Sequence, residues 1–320
     1  MNFRLPARAA VLALAAALAL SGCGSGSDGG DEPTSSPTPA ATGPSAVDTA
    51  AVAGIKVDGD AGAEPTLSFD APLSVSTATT RLVDAGDGEP LEDGQELAIH
   101  FVAFSGVDAS RVGSTWEEGE GATDLIIFGD PQLGVINDVL TGANVGARAL
   151  IANPMTGADG TTQTSIMLIE VASATTLPTR AEGEAVTPAE GLPVVTLDEN
   201  GKPSIEFPEG FEAPTELVAQ TLIKGTGAVV EETQQVVAHY TGWTLDGEVF
   251  DSSWERDMPA IFGLQQVIQG WTEGLAGQTV GSQVLLVIPA ELAYGEASDT
   301  NTHSLAGEAL VFVVDILDAQ

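Results

Sequence analysis

A pattern of glycines, a histidine, hydroxyl-Trp steps and Val-Ile pairs occurs twice in this chain, so its fold has to be one that can be built twice. Gly86-x-Gly88 stands 14 residues before His100, and Gly225-x-Gly227 stands 14 before His239. Ser114-Thr115-Trp116 answers Ser252-Ser253-Trp254, Val135-Ile136 answers Val267-Ile268, and Val145-Gly146-Ala147-Arg148 answers Val280-Gly281-Ser282-Gln283. Even the openings match, Pro65-Thr66-Leu67-Ser68-Phe69 with Pro203-Ser204-Ile205-Glu206-Phe207. Self-similarity in a fixed order means two copies of one structural unit. Domains are therefore expected over 65–172 and 203–320, which suits 320 residues at roughly 100 to 200 per domain.

Between and before the copies the composition changes. Residues 24–64 hold Gly, Ser and Asp, then Pro33, Pro37, Pro39 and Pro44, too little apolar area to offset the entropy of ordering. A disordered tether over 23–64 is expected. Ser173 to Pro203 carries Pro178, Pro188 and Pro193 between regions dense in Val, Ile and Leu, and 173–202 reads as an interdomain linker. At the start, Arg4 and Arg8 precede an apolar run from Ala9 to Leu20 and two small residues, the pattern of a secretory signal over 1–22. Leu20-Ser21-Gly22-Cys23 resembles a bacterial lipobox, which implies acylation of Cys23 and a protein tethered to the cell membrane outside the cytoplasm. An ordinary cleaved signal with an incidental cysteine is the alternative. After residue 22 there is no stretch of 18 apolar residues, so contact with a membrane is expected through the N-terminal lipid alone.

Charge removes further classes of function. With 46 Asp+Glu against 10 Lys+Arg, for a net charge of −36, the chain lacks the cations that nucleic-acid binding needs to neutralise phosphates. One cysteine leaves no disulfide framework and no Cys-based metal site. His303 has no plausible histidine partner by spacing and reads as a solvated loop residue. No metal and no cofactor are expected, and the chain is expected to work as a monomer.

In the second copy, Val236–Tyr240, Val284–Ile288 and Leu310–Val314 are short runs rich in Val and Ile, bounded by Gly, Pro or polar residues, and read as strands. Asp246-Gly247 suits a two-residue hairpin turn. Helical spacing occurs from Gln265 to Ala276, where Val267, Ile268, Trp271 and Leu275 share one face. Gly270 and Gly274 each cost that helix about 1 kcal/mol relative to Ala, tolerable if they let it sit close against a sheet.

In order and spacing, His239-Tyr240-Thr241-Gly242-Trp243, Val249-Phe250-Asp251-Ser252-Ser253-Trp254, Pro259-Ala260-Ile261-Phe262, Val267-Ile268-Gln269-Gly270-Trp271, Val287-Ile288-Pro289, Leu292-Ala293-Tyr294-Gly295 and Leu310-Val311-Phe312 resemble an FKBP-type peptidyl-prolyl cis-trans isomerase domain. The resemblance covers about Glu216 to Gln320. It implies an α+β fold for each copy, a twisted antiparallel sheet wrapped around one short helix, and it implies as partners proline-containing polypeptides that are unfolded or folding.

The chemistry is modest in its demands. Rotating an amide costs about 18 to 20 kcal/mol because resonance is lost, and an X-Pro bond interconverts unaided over tens to hundreds of seconds. A dry apolar slot for proline and hydrogen bonds that favour the twisted amide suffice. By the resemblance, Tyr240, Phe250, Phe262, Val267, Ile268, Trp271 and Phe312 line the slot, with Trp271 as its floor. The backbone N–H of Ile268 and the hydroxyl of Tyr294 bond substrate carbonyls, and Asp251 holds the polar wall beside Tyr240. Val267, Ile268, Phe250 and Phe312 also suit a plain core, and Trp271 simple packing. An acid between Phe250 and Ser-Ser-Trp points more firmly to function, because buried acids are rare unless paired or functional. Two departures stand out: Ala260 follows Pro259 where many members carry another pocket aromatic, and the loop after Tyr294 lacks an Ile-Pro-Pro segment, leaving His303 and Leu305 to supply the lid.

In the first copy the framework persists without the chemistry. Phe101 replaces Tyr240, Val112-Gly113 replaces Phe250-Asp251, the helical segment shortens to Val135–Leu140 without a tryptophan, and the Ala-Tyr-Gly element is missing. Trp116 reads as core. The leading expectation is a membrane-anchored prolyl isomerase acting on secreted or envelope proteins. A non-catalytic holdase for proline-containing segments is the rival. A solute-binding lipoprotein would need two helix-rich lobes, which the Val-rich strands and single helix disfavour.

Overall fold

Both faces of β13 (Gln235–Thr244) are buried, Val236, Ala238 and Tyr240 on one side and Trp243 on the other. That double burial explains why the strand-forming runs are continuously apolar instead of alternating. The computed structural model in which this is seen describes residues 43–118, 123–157, 160–298 and 300–320. The chain divides into two units, Met1–Thr175 and Thr176–Gln320.

The first unit begins with α1 (Ala46–Ala53), β1 (Lys56–Asp58) and β2 (Thr66–Ser68). After these come β3 (Thr79–Asp84), β4 (Glu96–Ser105), β5 (Arg111–Ser114), β6 (Asp124–Ile127), α2 (Val135–Leu140), β7 (Arg148–Thr156) and β8 (Thr162–Thr175). Its antiparallel sheet runs β3-β7-β8-β4-β5, with β6 also on β4.

The second unit has β9 (Glu184–Ala185), β10 (Val194–Leu197), β11 (Pro203–Glu206), β12 (Val218–Lys224) and β13. β14 (Val249–Ser252), β15 (Ala260–Gly263), α3 (Gln269–Leu275), β16 (Gln283–Ile288) and β17 (Leu310–Ala319) complete it. Its sheet runs β14-β13-β17-β16-β12-β9, with β15 on β13. Five strands in the same spatial order, with in each case a further short strand on the strand next to one edge, β4 and β13, identify the two sheets as one design, α+β in class.

The repeated Gly-x-Gly has a steric cause. A Cβ on Gly225 would lie 2.2 Å from the carbonyl oxygen of Val280, and one on Gly227 would lie 2.7 Å from the Val280 Cβ. At Gly86 and Gly88 the corresponding separations from the Val145 oxygen and Cβ are 2.5 and 2.9 Å. Ser253 and Thr115 also have matching duties: each side-chain oxygen accepts the backbone N–H of the residue after the histidine, Tyr240 at 2.8 Å and Phe101 at 3.0 Å. The histidines themselves stack on Trp254 and Trp116, centroids 4.2 and 4.7 Å apart. Trp116 is half-buried, against the outer-face cluster of the sheet rather than the core around α2.

Three expectations need correction. The tether does not run to residue 64. Ser45 caps α1 in a capping box with Asp48, Val52 and Ile55 are buried against the outer face of the first sheet, and β1 pairs with β2. Residues 1–42, which include the signal segment and Cys23, lie outside the described residues. Nor is 173–202 a free linker. Thr175 ends β8, β9 pairs with β12, β10 pairs with β11, and Leu192 and Val195 cover Leu285, Val287, Val311 and Val313 on the outer face of the second sheet. Apolar residues spaced among prolines did this, and a composition argument averaged them away. Finally, the helix starts at Gln269 rather than Gln265, because Ile268 is extended (φ −61°, ψ 146°) and serves as its N-cap.

Candidate active site

The helix glycines explain how α3 approaches the sheet. A Cβ on Gly270 would meet Ile288 at 2.4 Å and one on Gly274 would meet Leu286 at 2.5 Å. This close seat brings Trp271, 3% exposed, beneath the aromatic residues of the strands. Its ring makes edge contacts with Tyr240 (5.4 Å, 85°), Phe262 (4.9 Å, 64°) and Phe312 (5.4 Å, 88°). Phe250 meets Phe312 edge-on at 5.4 Å, and Tyr240 meets Phe262 at 5.3 Å. Gly242 makes room for this wall, since a Cβ there would stand 2.6 Å from Phe250 and 2.8 Å from Phe312. Val267, Ile268, Phe250 and Phe262 are half-buried against the same cluster, so one side of each stays accessible.

Polar groups sit at the edge of this aromatic cup. The Tyr240 hydroxyl donates to Asp251 Oδ2. Arg256, on the turn after β14, donates from Nη1 to Asp251 Oδ1 at 2.8 Å and from Nη2 to the Tyr240 oxygen at 3.2 Å. Burial pushes the Asp251 carboxyl up, but the hydrogen bonds from Tyr240 and Arg256 outweigh it and hold the group below the ordinary carboxylate value. Burial, with the bond to Asp251, pushes the Tyr240 hydroxyl up to about 12. Asp251 is thus an anion and Tyr240 a neutral donor at neutral pH.

Two further donors are unspent. The Ile268 N–H, just ahead of the helix, donates to nothing among the described residues. Tyr294 is 38% exposed, and its hydroxyl has no hydrogen-bond partner among the described residues. The Tyr294 ring stacks on His303, 4.0 Å away and nearly parallel at 10°. Leu292, Ala293 and Leu305, on the same stretch of chain, pack on the core cluster that contains Tyr240, Trp271 and Phe312.

The structure therefore gathers Tyr240, Phe250, Asp251, Phe262, Val267, Ile268, Trp271 and Phe312, while Tyr294 stands on the exposed stretch between β16 and β17. Sequence reasoning missed Arg256, Ser253 and Gly242. Arg256 carried a signal, because it and Lys224 are the only cations after position 202. Among the described residues no group of three or more His, Cys, Asp or Glu could hold a metal ion.

The first unit builds a different surface at the same place. Ala103 faces Met167 across β4 and β8, where Gly242 faces Phe312. Gly113 lies opposite Ala103, where Asp251 lies opposite Gly242. Val112 is 67% exposed, and α2 has no aromatic residue. At the positions of Phe312, Phe250 and Asp251 stand Met167, Val112 and Gly113, with neither a ring nor a carboxylate.

Residues 227–317 match the family model described as FKBP-type peptidyl-prolyl cis-trans isomerase. A "Probable FK506-binding protein" of Corynebacterium glutamicum is 43% identical over 119 residues, which span 37% of this chain and 98% of that one. An "FK506-binding protein" of Streptomyces anulatus is 41% identical over 119 residues, 36% of this chain and 95% of that one. Among solved structures, FkpA from Escherichia coli aligns with 35% identity and a TM-score of 0.31, over 41% of this chain and 53% of that one.

Proposed function

Because this chain belongs to the FKBP-type peptidyl-prolyl cis-trans isomerases, we propose that its second unit catalyses X-Pro rotation in secreted or cell-envelope proteins while a lipid on Cys23 holds it at the membrane. The observation that carries the catalytic assignment is the aromatic cup around Trp271 with the Tyr240–Asp251–Arg256 set at its edge.

Proline enters the cup, where rings exchange water for apolar contact and the amide loses the hydration that favours its planar form. The Ile268 N–H and the Tyr294 hydroxyl bond the carbonyls flanking the rotating bond, which holds the peptide ends while the amide turns. Asp251, kept anionic, supplies a fixed field at the edge of the cup, which acts on the charge separation lost as resonance breaks. No bond is made or cleaved, so no nucleophile is required.

The first unit, lacking these groups, serves as a folded spacer or holds clients near the second. Support for the anchor is the sequence Leu20-Ser21-Gly22-Cys23 after an apolar run, and a protein with several acyl chains stays membrane-bound where one chain binds only marginally. No described helix is long and apolar enough to cross a membrane. Two measurements test the proposal. Cys23→Ala should abolish labelling by radioactive palmitate, and persistent labelling contradicts the anchor. An X-Pro exchange assay by NMR on the full chain should show acceleration, and its absence contradicts the enzyme.

A further inference from the structure

We propose that His303 is a positioning residue for Tyr294, fixing the direction in which the tyrosine hydroxyl meets a substrate carbonyl. This rests on the isomerase reading above and names a part of the site that the family resemblance left open.

Tyr294 lies on an exposed stretch, its hydroxyl without a hydrogen-bond partner among the described residues, and an exposed tyrosine samples several staggered side-chain positions. A ring contact restrains it. The His303 ring lies 4.0 Å from the Tyr294 ring at an interplanar angle of 10°. That ring is itself held, because His303 Nδ1 accepts the backbone N–H of Leu305 at 3.2 Å. The bond requires an unprotonated Nδ1, so the neutral ring carries its proton on Nε2. Leu305 in turn packs its side chain on the core cluster that contains Tyr240, Trp271 and Phe312. A continuous set of contacts thus leads from that cluster through Leu305 and His303 to Tyr294.

The backbone around this set is closed on itself. Asn301 Nδ2 donates to the carbonyls of Tyr294 and Glu296, both at 2.9 Å. Gly307 donates to Gly295 at 2.8 Å, and Ala306 to His303 at 3.0 Å. The loop conformation therefore has supports of its own, and His303 contributes chiefly the orientation of the Tyr294 ring. A hydrogen bond that strengthens as the amide twists gains from such fixing in the transition state more than in the ground state.

The test is a double-mutant cycle on the full chain with a Xaa-Pro peptide. His303→Ala should lower kcat/KM by roughly three- to tenfold, mostly in kcat, with KM near its starting value. His303→Phe keeps a flat ring against Tyr294 and should recover most of the loss, which a merely structural loss of the loop would not reverse. In a Tyr294→Phe background, His303→Ala should have no further effect, because its target hydroxyl is gone. Equal kcat for the wild type and His303→Ala, or a full additional loss in the Tyr294→Phe background, overturns the proposal. If wild type itself gives no acceleration, the isomerase reading fails instead, so the two failures are distinguishable. Unchanged thermal unfolding of each variant guards against misfolding, and if His303→Ala does unfold, His303→Phe against His303→Leu makes the same comparison of a flat ring with a branched side chain.

Discussion

The Tyr240 hydroxyl donates to the Asp251 carboxylate between neighbouring strands, although the two residues are 11 apart in sequence. Arg256 then bonds both partners. This triad converts an acid on an aromatic cup into a stable anion, and the first prediction follows from it. Asp251→Val should lower kcat/KM for a Xaa-Pro peptide by about tenfold or more while the fold survives. Tyr294→Phe should do the same. Full activity in both variants, measured by exchange NMR, contradicts the assigned roles.

Arg256 should set the acid side of the pH profile. Its bonds help hold the Asp251 carboxyl below the ordinary value against burial, which pushes it up. In Arg256→Gln the Asp251 carboxyl should rise, so activity should begin to fall at a higher pH than in the wild type. A pH–rate profile with an unshifted acid limb refutes this.

Stability should have a compensated pH dependence at one cross-strand pair. His239 and Asp315 are register partners. Burial lowers His239 from 6.5 to about 4, against the opposing influence of Asp257. Burial likewise raises Asp315 from 3.8 to about 6, against bonds from Ala181 and Gln283 and the charge of Arg180. The histidine stabilises the fold above its unfolded value and loses that as pH falls from 6.5 towards 4. The aspartate does the reverse: its contribution is lost as pH rises from 3.8 to about 6. Each branch amounts to about 3 kcal/mol, so they largely cancel. Asp315→Asn should make denaturant stability fall more steeply on acidification than wild type, and His239→Gln should make it fall less. Parallel pH curves for all three proteins would count against the assignment.

How much of this was legible in the sequence follows from the reach of each signal. The duplication and the strand runs are legible because they depend on residue type and order. The places of Trp271, Tyr240 and Phe312 in the cup are what the resemblance to the family implies, and Gly270 and Gly274 on a helical face imply a close helix seat. Arg256 was not found, because its bond to Asp251 depends on the left-handed turn at Asp257 (φ 51°) that ends the segment after β14. The segment from Ala181 to Lys202 reads as a linker for a different reason. Its few apolar residues are scattered among prolines, and their destination is a sheet face that looks like core from sequence. The unalternating Val-Leu-Leu-Val-Ile of β16 was the available hint, since such a run needs cover on both faces.

That cover gives a prediction about boundaries. A fragment Pro203–Gln320 should unfold at a lower temperature than Thr176–Gln320, because it loses Leu192 and Val195 from the outer face and the Ala181 N–H from Asp315. At roughly 1.5 to 3 kcal/mol for a fully buried aliphatic side chain, and with Leu192 and Val195 half-buried, the deficit should be about 2 kcal/mol. Equal melting temperatures contradict the covering role.

Charge should favour cationic substrates. Glu291, Glu296 and Glu308 are exposed on the stretch bearing Tyr294, with no ion pair to any of them among the described residues. Association of opposite charges is steered at low ionic strength and screened by salt. A Lys-flanked Xaa-Pro peptide should show a higher kcat/KM than its Glu-flanked counterpart at low salt, and the two should converge at high salt. A salt-independent ratio goes against steering.

The most direct measurement compares the two units. X-Pro exchange should be followed by NMR with Thr176–Gln320 and, separately, with residues 43–175, each first checked for cooperative unfolding. The aromatic cup and the Tyr240–Asp251–Arg256 set lie in the second unit, whereas Phe101, Val112 and Gly113 stand at the corresponding places in the first. Acceleration by the second unit and none by the first is the expected result. Acceleration by the first unit, or none by a folded second unit, contradicts the assignment of catalysis to that site.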